Sequence, residues 1–220
     1  MSYILNIETA TKNCSVTISK EGKTIICREI AEQGYSHAEK LHVFINELIN
    51  ETEISFSDLT AIAVSQGPGS YTGLRIGVSA AKGLCYALEI PLISVDTLAS
   101  LANKVQHQDG LIIPMIDARR MEVYSAVFNS KKEKIREIKA EILSEDSFFE
   151  VSEKVYFIGD SNEKAKTILK KKNFFFLDDL VFPSANEMAS ISFNKFQNND
   201  FEDVAYFEPY YLKDFMSTGK

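Results

Sequence analysis

The chain has 220 residues, 31 acidic against 24 basic, and a formal net charge of −7. That length and its 45% apolar content suffice for one large domain or two small ones with a real core. The acidic balance argues against strong nucleic-acid binding by this chain alone. No leading basic-plus-apolar stretch and no apolar run of membrane-spanning length occurs, which predicts a soluble, cytoplasmic protein with no membrane partner. Cys14, Cys27 and Cys85 are odd in number and lack CxxC spacing, so they read as reduced and buried rather than as a disulfide or zinc framework.

In chain order, Tyr3–Ile7 reads as a strand ending at Glu8. Cys14–Ser19 alternates as a second strand, Glu21-Gly22-Lys23 turns, and Thr24–Ile30 is a third. Gly34 breaks the pattern. Ser36 with Glu39 forms a capping box for a helix whose apolar stripe is Leu41, Ile45, Leu48 and Ile49. Ala61–Ser65 is a buried strand, and Gly77–Leu88 a helix rich in small residues. Leu92–Val95 is a strand, and Asp96 caps a helix from Thr97 to about Lys104. The pattern restarts at Leu111–Ile116, a strand ending at Asp117. Val123–Asn129 and Ile135–Ile142 follow as strands, Phe148–Ser152 as a short helix, and Val155–Ile158 as a strand. Asp160 or Ser161 caps a helix to about Lys172. Phe174–Leu177 is a strand, and Ser184 with Glu187 caps a helix to Phe196.

The most distinctive stretch is Gln66-Gly67-Pro68-Gly69-Ser70-Tyr71-Thr72-Gly73-Leu74-Arg75, a glycine loop between a strand and a helix N-terminus. Gly67 and Gly69 permit positive φ and close backbone approach, and Pro68 stiffens the loop. Ser70 or Thr72 can cap the helix, whose free N–H groups suit an anion. A phosphate-binding P-loop is excluded, because the Gly67-to-Gly73 spacing is one residue too long and Leu74 stands where lysine is needed. A dinucleotide loop remains open, with Gly67, Gly69 and Gly73 followed by Asp96, although it normally follows a fold's first strand. A plain tight turn is the bland alternative.

Laying Glu8 on Asp117 puts Val16 on Ser125 and Ile18 on Val127. Both halves then read as three antiparallel strands, helix, strand, helix. Matching strand-terminal carboxylates are what a duplicated ribonuclease-H-like core would show.

Several segments in order resemble the TsaB (YeaZ) family of bacterial tRNA threonylcarbamoyladenosine biosynthesis. They are Ile7-Glu8-Thr9-Ala10, Gly67 through Gly77, Ala80 through Leu84, Asp117-Ala118-Arg119 with Glu122-Val123-Tyr124, and Pro209 through Lys213. The resemblance implies an α/β, actin/hexokinase-like (ASKHA) fold. Its two ribonuclease-H-like lobes would each be βββαβα with mixed sheets, residues 1–108 binding a partner and 109–220 forming the second lobe. It implies a non-catalytic subunit that binds the catalytic paralogue TsaD and the ATPase TsaE. It allows a homodimer when the chain is alone, and tRNA contact only through the complex. No cofactor is expected on this chain alone, while ATP or ADP at the interface of the complex is consistent with the family. The family's first motif is usually Asp-Thr-Ser, and Glu8-Thr9-Ala10 departs from it. Tyr71 and Lys213 stand where Phe and Arg are frequent.

Phosphoryl transfer on such a fold needs two glycine-lined turns at the phosphates and a carboxylate for Mg²⁺. Glu8 and Asp117 could supply carboxylates, but Thr9–Asn13 and Ala118–Met121 contain no glycine. Glu8, Thr9, Asp117 and Arg119 are therefore only weak nucleotide or phosphate candidates. Arg119 could bind an anion or pair with Glu8 or Asp117. No catalytic residue is assigned, and an autonomous small-molecule kinase or ATPase is the alternative. His37 and His42 would diverge by about 140° on a regular helix, and His107 stands alone, so no metal site is expected.

Gly73, Gly77, Ala80 and Ala81 repeat at helical spacing. Helix-interior glycine costs about 1 kcal/mol relative to alanine, so another backbone should come close. The candidates are the chain's own Ser36 helix or a helix of another subunit. With Leu41, Phe44, Ile45 and Leu48 these residues form the expected partner surface. The lysines at 164, 166, 170, 171 and 172 read as a solvated helix face, or as a guide for tRNA phosphates in a complex. The aromatic tail Tyr206–Phe215 is expected to pack back onto a lobe.

Overall fold

A computed structural model describes residues 1–31, 37–106 and 109–212. The Gly34 break, the Ser36 cap, His107 and Lys213 lie outside the described residues. The first half runs β1 (Tyr3–Glu8), β2 (Cys14–Lys20), β3 (Lys23–Ile30), α1 (His37–Glu51), β4 (Leu59–Gly67), α2 (Tyr71–Leu88), β5 (Leu92–Asp96) and α3 (Thr97–Asn103). The second runs β6 (Leu111–Asp117), β7 (Glu122–Phe128), β8 (Lys134–Ile142), β9 (Val155–Ile158), α4 (Asn162–Ile168), β10 (Phe174–Phe176) and α5 (Ala185–Gln197).

Two five-stranded sheets result, ordered β3-β2-β1-β4-β5 and β10-β9-β6-β7-β8. Read from the opposite edge, the second order is the first repeated. In each sheet the three leading strands are antiparallel and the later two join in parallel. Glu8 and Asp117 thus end equivalent central strands, as the overlay of halves predicts.

Strand alternation decides what each face meets. On β1, Leu5 and Ile7 join Leu41 and Ile45 of α1 and Val78 of α2 in one core. The opposite face, with Ile4, Ala61, Ala63 and Ile93, packs on Ala185 and Met188 of α5. In the second sheet, Ile112, Ile116 and Phe128 pack on Leu98 and Leu101 of α3. Its other face, with Ile113, Met115 and Phe157, takes Ala165 of α4 and Leu169. The two sheets therefore exchange helices: α3 belongs to the first half of the chain but covers the second sheet, and α5 does the converse. Buried Asn6 marks this interlock. Its amide donates to Ser19 Oγ at 3.1 Å, and its carbonyl oxygen accepts from Ser192 of α5 at 2.6 Å.

Four local expectations need correction. Phe148–Ser152 is not a helix; residues 145–150 are turns, with Phe148 at φ 59° and its ring edge-on to Phe157 at 5.6 Å. The second half therefore lacks a counterpart of α1 and reads βββ-turn-βαβα. Helix α4 stops at Ile168 instead of Lys172, because Leu169 adopts an extended conformation and enters the core. Helix α2 begins at Tyr71, six residues before Gly77. Ser184 does cap α5, accepting from Asn186 N, but the Glu187 carboxylate turns to Asn186 Nδ2 and to Lys104 rather than back to the cap.

Because α5 seals one face of the first sheet, Met188→Ala should remove about 2–5 kcal/mol from a single cooperative urea transition. A 1–108 fragment, which would expose that face, should fail to give a dispersed NMR spectrum. A well-folded fragment would contradict the interlock.

Candidate functional site

The site is the place where the end of β1 meets the loop between β4 and α2. Gly67 has φ 113° and precedes a cis bond to Pro68. Its N–H donates to Thr97 Oγ1 at 3.1 Å, and Tyr210 N donates to Gln66 O at 2.7 Å. A side chain at Gly67 would meet Tyr210 O at 2.8 Å. Ser70 caps α2, accepting from Gly73 N at 3.3 Å. Thr72 is exposed and Arg75 lies on the outer surface of the helix.

Gly73 and Gly77 of α2, and Gly69 just before it, face inward. A Cβ on Gly69 would overlap Ala10 O, one on Gly73 would overlap Thr9 O, and one on Gly77 would overlap Thr9 Oγ1. Thr9 Oγ1 donates to Gly73 O at 2.8 Å, and Ser70 N donates to Ala10 O at 2.6 Å. The close-approaching backbone is therefore the chain's own β1–β2 turn, neither the Ser36 helix nor another subunit. Ala10 O also occupies an N–H near the helix start that the sequence reading offered to an anion. Leu41, Ile45, Leu48 and Ala81 are buried in the chain's own core, which withdraws them from the expected partner surface. Phe44 and Ala80 remain half-buried.

Glu8 is fully buried. Its Oε1 accepts from Ala10 N at 2.6 Å and from Ser65 Oγ at 2.9 Å, while Oε2 has no partner. Burial pushes its pKa up to about 7, and the hydrogen bonds from Ala10 and Ser65 only partly offset this. Oε1 is thus committed to the turn that Glu8 begins. Asp117, its counterpart, is half-exposed and held by Lys164, whose ammonium also donates to Arg120 O and Glu122 O. Asp160 Oδ1 accepts from Asp117 N at 2.8 Å, and burial raises the Asp160 pKa. Arg119 is exposed, at φ 72°, and pairs with neither carboxylate. Lys164 takes the role proposed for it. The basic run is largely engaged inside the fold, since Lys166 pairs with Asp178 and Lys171 donates to Phe149 O and Val151 O.

The segment before α5 is hydrogen-bonded to β2, the turn before β2 and α3. Asn13 Nδ2 donates to Pro183 O at 3.0 Å, Ser15 Oγ shares a hydrogen bond with Ser184 Oγ at 3.1 Å, and Ser100 Oγ donates to Ser184 O at 3.2 Å. Ser65, Lys164, Asp160 and Ser184 were not singled out as site residues. Each is a common polar residue with no local signal, and only tertiary packing brings it to the site.

A sequence model of the family described as TsaD: tRNA N6-adenosine threonylcarbamoyltransferase matches residues 25–214. The Escherichia coli tRNA threonylcarbamoyladenosine biosynthesis protein TsaB is 28% identical over 227 residues, covering 99% of this chain and 97% of that protein. The chain belongs to the TsaD family, in its TsaB (YeaZ) group. Bacillus subtilis TsaB is 38% identical over 128 residues, and the match spans 58% of this chain and only 56% of that relative. YeaZ from Pseudomonas aeruginosa has the same fold, with a TM-score of 0.84 at 24% identity over 96% of this chain and 100% of that one. The two-lobed, actin/hexokinase-like fold of the TsaB group is thus the fold of this chain. Among the described residues no group of three or more histidine, cysteine or carboxylate side chains is placed to hold a metal.

Two outcomes follow from this TsaB-type geometry. Gly77→Ala should destabilise the chain by roughly 1–3 kcal/mol through overlap with Thr9, and Thr9→Ala in the same chain should recover part of the loss in a double-mutant cycle. Full additivity would refute the contact. Glu8 binds its proton more tightly folded than unfolded, so its contribution is largest below the ordinary carboxylate pKa of 4.5 and is lost as pH rises through about 7. The loss is on the order of 3 kcal/mol. Urea unfolding of Glu8→Gln across this range should lack that component of the slope. Identical slopes for the two proteins would show that Glu8 titrates normally.

Proposed function

We propose that this chain serves tRNA threonylcarbamoyladenosine biosynthesis as a non-catalytic subunit that binds and activates a TsaD-type transferase. The pathway is supported by the names of its full-length relatives. The observation that carries the non-catalytic role is the closed β1 end. Glu8 is turned inward, the β1–β2 turn is pressed into α2, and Pro183 and Ser184 are hydrogen-bonded to Asn13 and Ser15 beside that turn. Phosphate-clasping backbone has no room there.

What remains for function is the outer surface of the first lobe. On α2, Gly83 is exposed and a Cβ there would meet nothing within 4 Å, so no internal contact requires this helix-interior glycine. Tyr86 beside it is 82% exposed, and Val43 on α1 is 46% exposed. An exposed glycine with a large exposed aromatic three residues on suits close packing of a partner helix. We assign this face to TsaD, or to a second copy of the chain when TsaD is absent. TsaE joins the assembled complex, and ATP or ADP binds at its interface. Contact with tRNA is made by the complex in the cytoplasm.

The test is reconstitution of tRNA modification from purified components, with and without this chain. Gly83→Glu and Tyr86→Asp should leave the fold intact, weaken association with TsaD by at least about tenfold, equivalent to about 1.4 kcal/mol, and lower modification in parallel. Wild-type association by both variants would remove this face from the interface. Turnover of ATP by the isolated chain at an ordinary enzymatic rate would overturn the non-catalytic role.

A further inference from the structure

The tail and the exposed face of α2 meet beside Arg75, Ser79 and Lys82. The tail comes back across the first lobe, with Glu202 N donating to Leu92 O at 2.9 Å and Tyr210 N pairing with Gln66 O. Between tail and helix lies an open groove of 210 Å³. Val78, Phe207 and Pro209 give it an apolar floor, and Arg75, Ser79 and Lys82 line its α2 wall.

The cations in this groove carry no carboxylate partner among the described residues. Lys104, Lys134, Lys154, Lys164, Lys166 and Lys195 each have a carboxylate partner. Among the described residues no carboxylate comes within ion-pair reach of Arg75 or Lys82, although the chain carries seven net negative charges. Glu208 also lines the groove but stays outside that reach.

The arginine is also held in place. Its guanidinium lies 4.2 Å from the Tyr71 ring centre, Nε donates to Tyr211 Oη at 3.3 Å, and the two tyrosine rings are 5.0 Å apart. Tyr211 uses only Nε, so the two terminal nitrogens remain for an oxyanion, the fork geometry that binds carboxylate or phosphate in pairs. Lys82 donates to Ala205 O and Phe207 O, which fixes its ammonium while leaving one N–H. Charged end groups above an apolar floor are the usual make-up of a small-molecule site.

We propose that the groove between α2 and the tail binds a small organic molecule ending in a phosphate or carboxylate group, with Arg75 as its oxyanion anchor and Tyr211 positioning Arg75. All its lining residues belong to this chain, so it can be tested on the isolated chain. The ¹⁵N-labelled protein is titrated with AMP, with N-acetylglutamate and with inorganic phosphate at low ionic strength. Saturable amide shifts confined to Val78, Ser79, Lys82 and Phe207 are expected. Stronger binding of AMP than of inorganic phosphate supports a phosphorylated ligand resting on the apolar floor, and stronger binding of N-acetylglutamate supports a carboxylate. Arg75→Met should weaken whichever probe binds by about tenfold or more, and Tyr211→Phe by about twofold to fivefold. No saturable shift with any probe at low-millimolar concentration, or unchanged binding by Arg75→Met, would overturn the proposal. So would an RNA oligonucleotide that binds more tightly than AMP, since that result would assign the groove to nucleic acid.

Discussion

Everything at the functional end of the molecule depends on how closely the β1–β2 turn approaches helix α2. Thr9 and Ala10 lie where side chains on Gly69, Gly73 and Gly77 would otherwise be. Glycine inside a helix costs about 1 kcal/mol per residue, and the structure offsets that cost with Thr9 Oγ1 on Gly73 O and Ser70 N on Ala10 O. The same approach buries Glu8 and forces its carboxyl to cap the turn it begins. Gly67 ties the assembly to α3 through Thr97 and to the tail beside Tyr210. One steric condition, the absence of three Cβ atoms, thus places a strand end, a loop, two helices and the tail.

The exchange of helices between the sheets has a comparable effect on the molecule as a whole. Neither sheet can bury both faces with helices from its own half of the chain, because α3 and α5 are traded. The lobes are therefore held together by apolar burial as well as by the polar seam of Asn13, Ser15, Ser100 and Ser184. A fold built from two related lobes has an obvious place for a ligand between them. Here the chain's own turn packs against α2 and its Pro183–Ser184 segment bonds to Asn13, Ser15 and Ser100.

Much of the architecture was legible in the sequence. Strand and helix types followed from periodicity, and the doubling of the core from laying Glu8 on Asp117, although each half adds a fifth strand to the four of the expected βββαβα. The errors came where a local pattern competed with packing. Phe148–Ser152 carries helix-like apolar spacing, but Phe148 is drawn against Phe157 and the segment turns. The lysine-rich end of α4 reads as more helix, but Leu169 leaves it for the core.

The candidate site was legible only in part, and the division has a physical basis. By itself the sequence determined that a strand, a glycine loop and a helix follow one another at 61–88, that glycines recur on one helix face, and that two acidic residues end equivalent strands. Those properties depend on neighbours along the chain. Only the tertiary structure decided that the glycines accommodate Thr9 and Ala10, that Glu8 is buried while Asp117 pairs with Lys164, and that Arg75 stacks with Tyr71 and Tyr211. Each of these is a contact between residues far apart in sequence, and such a contact exists only after the sheets have formed and the helices have exchanged across them.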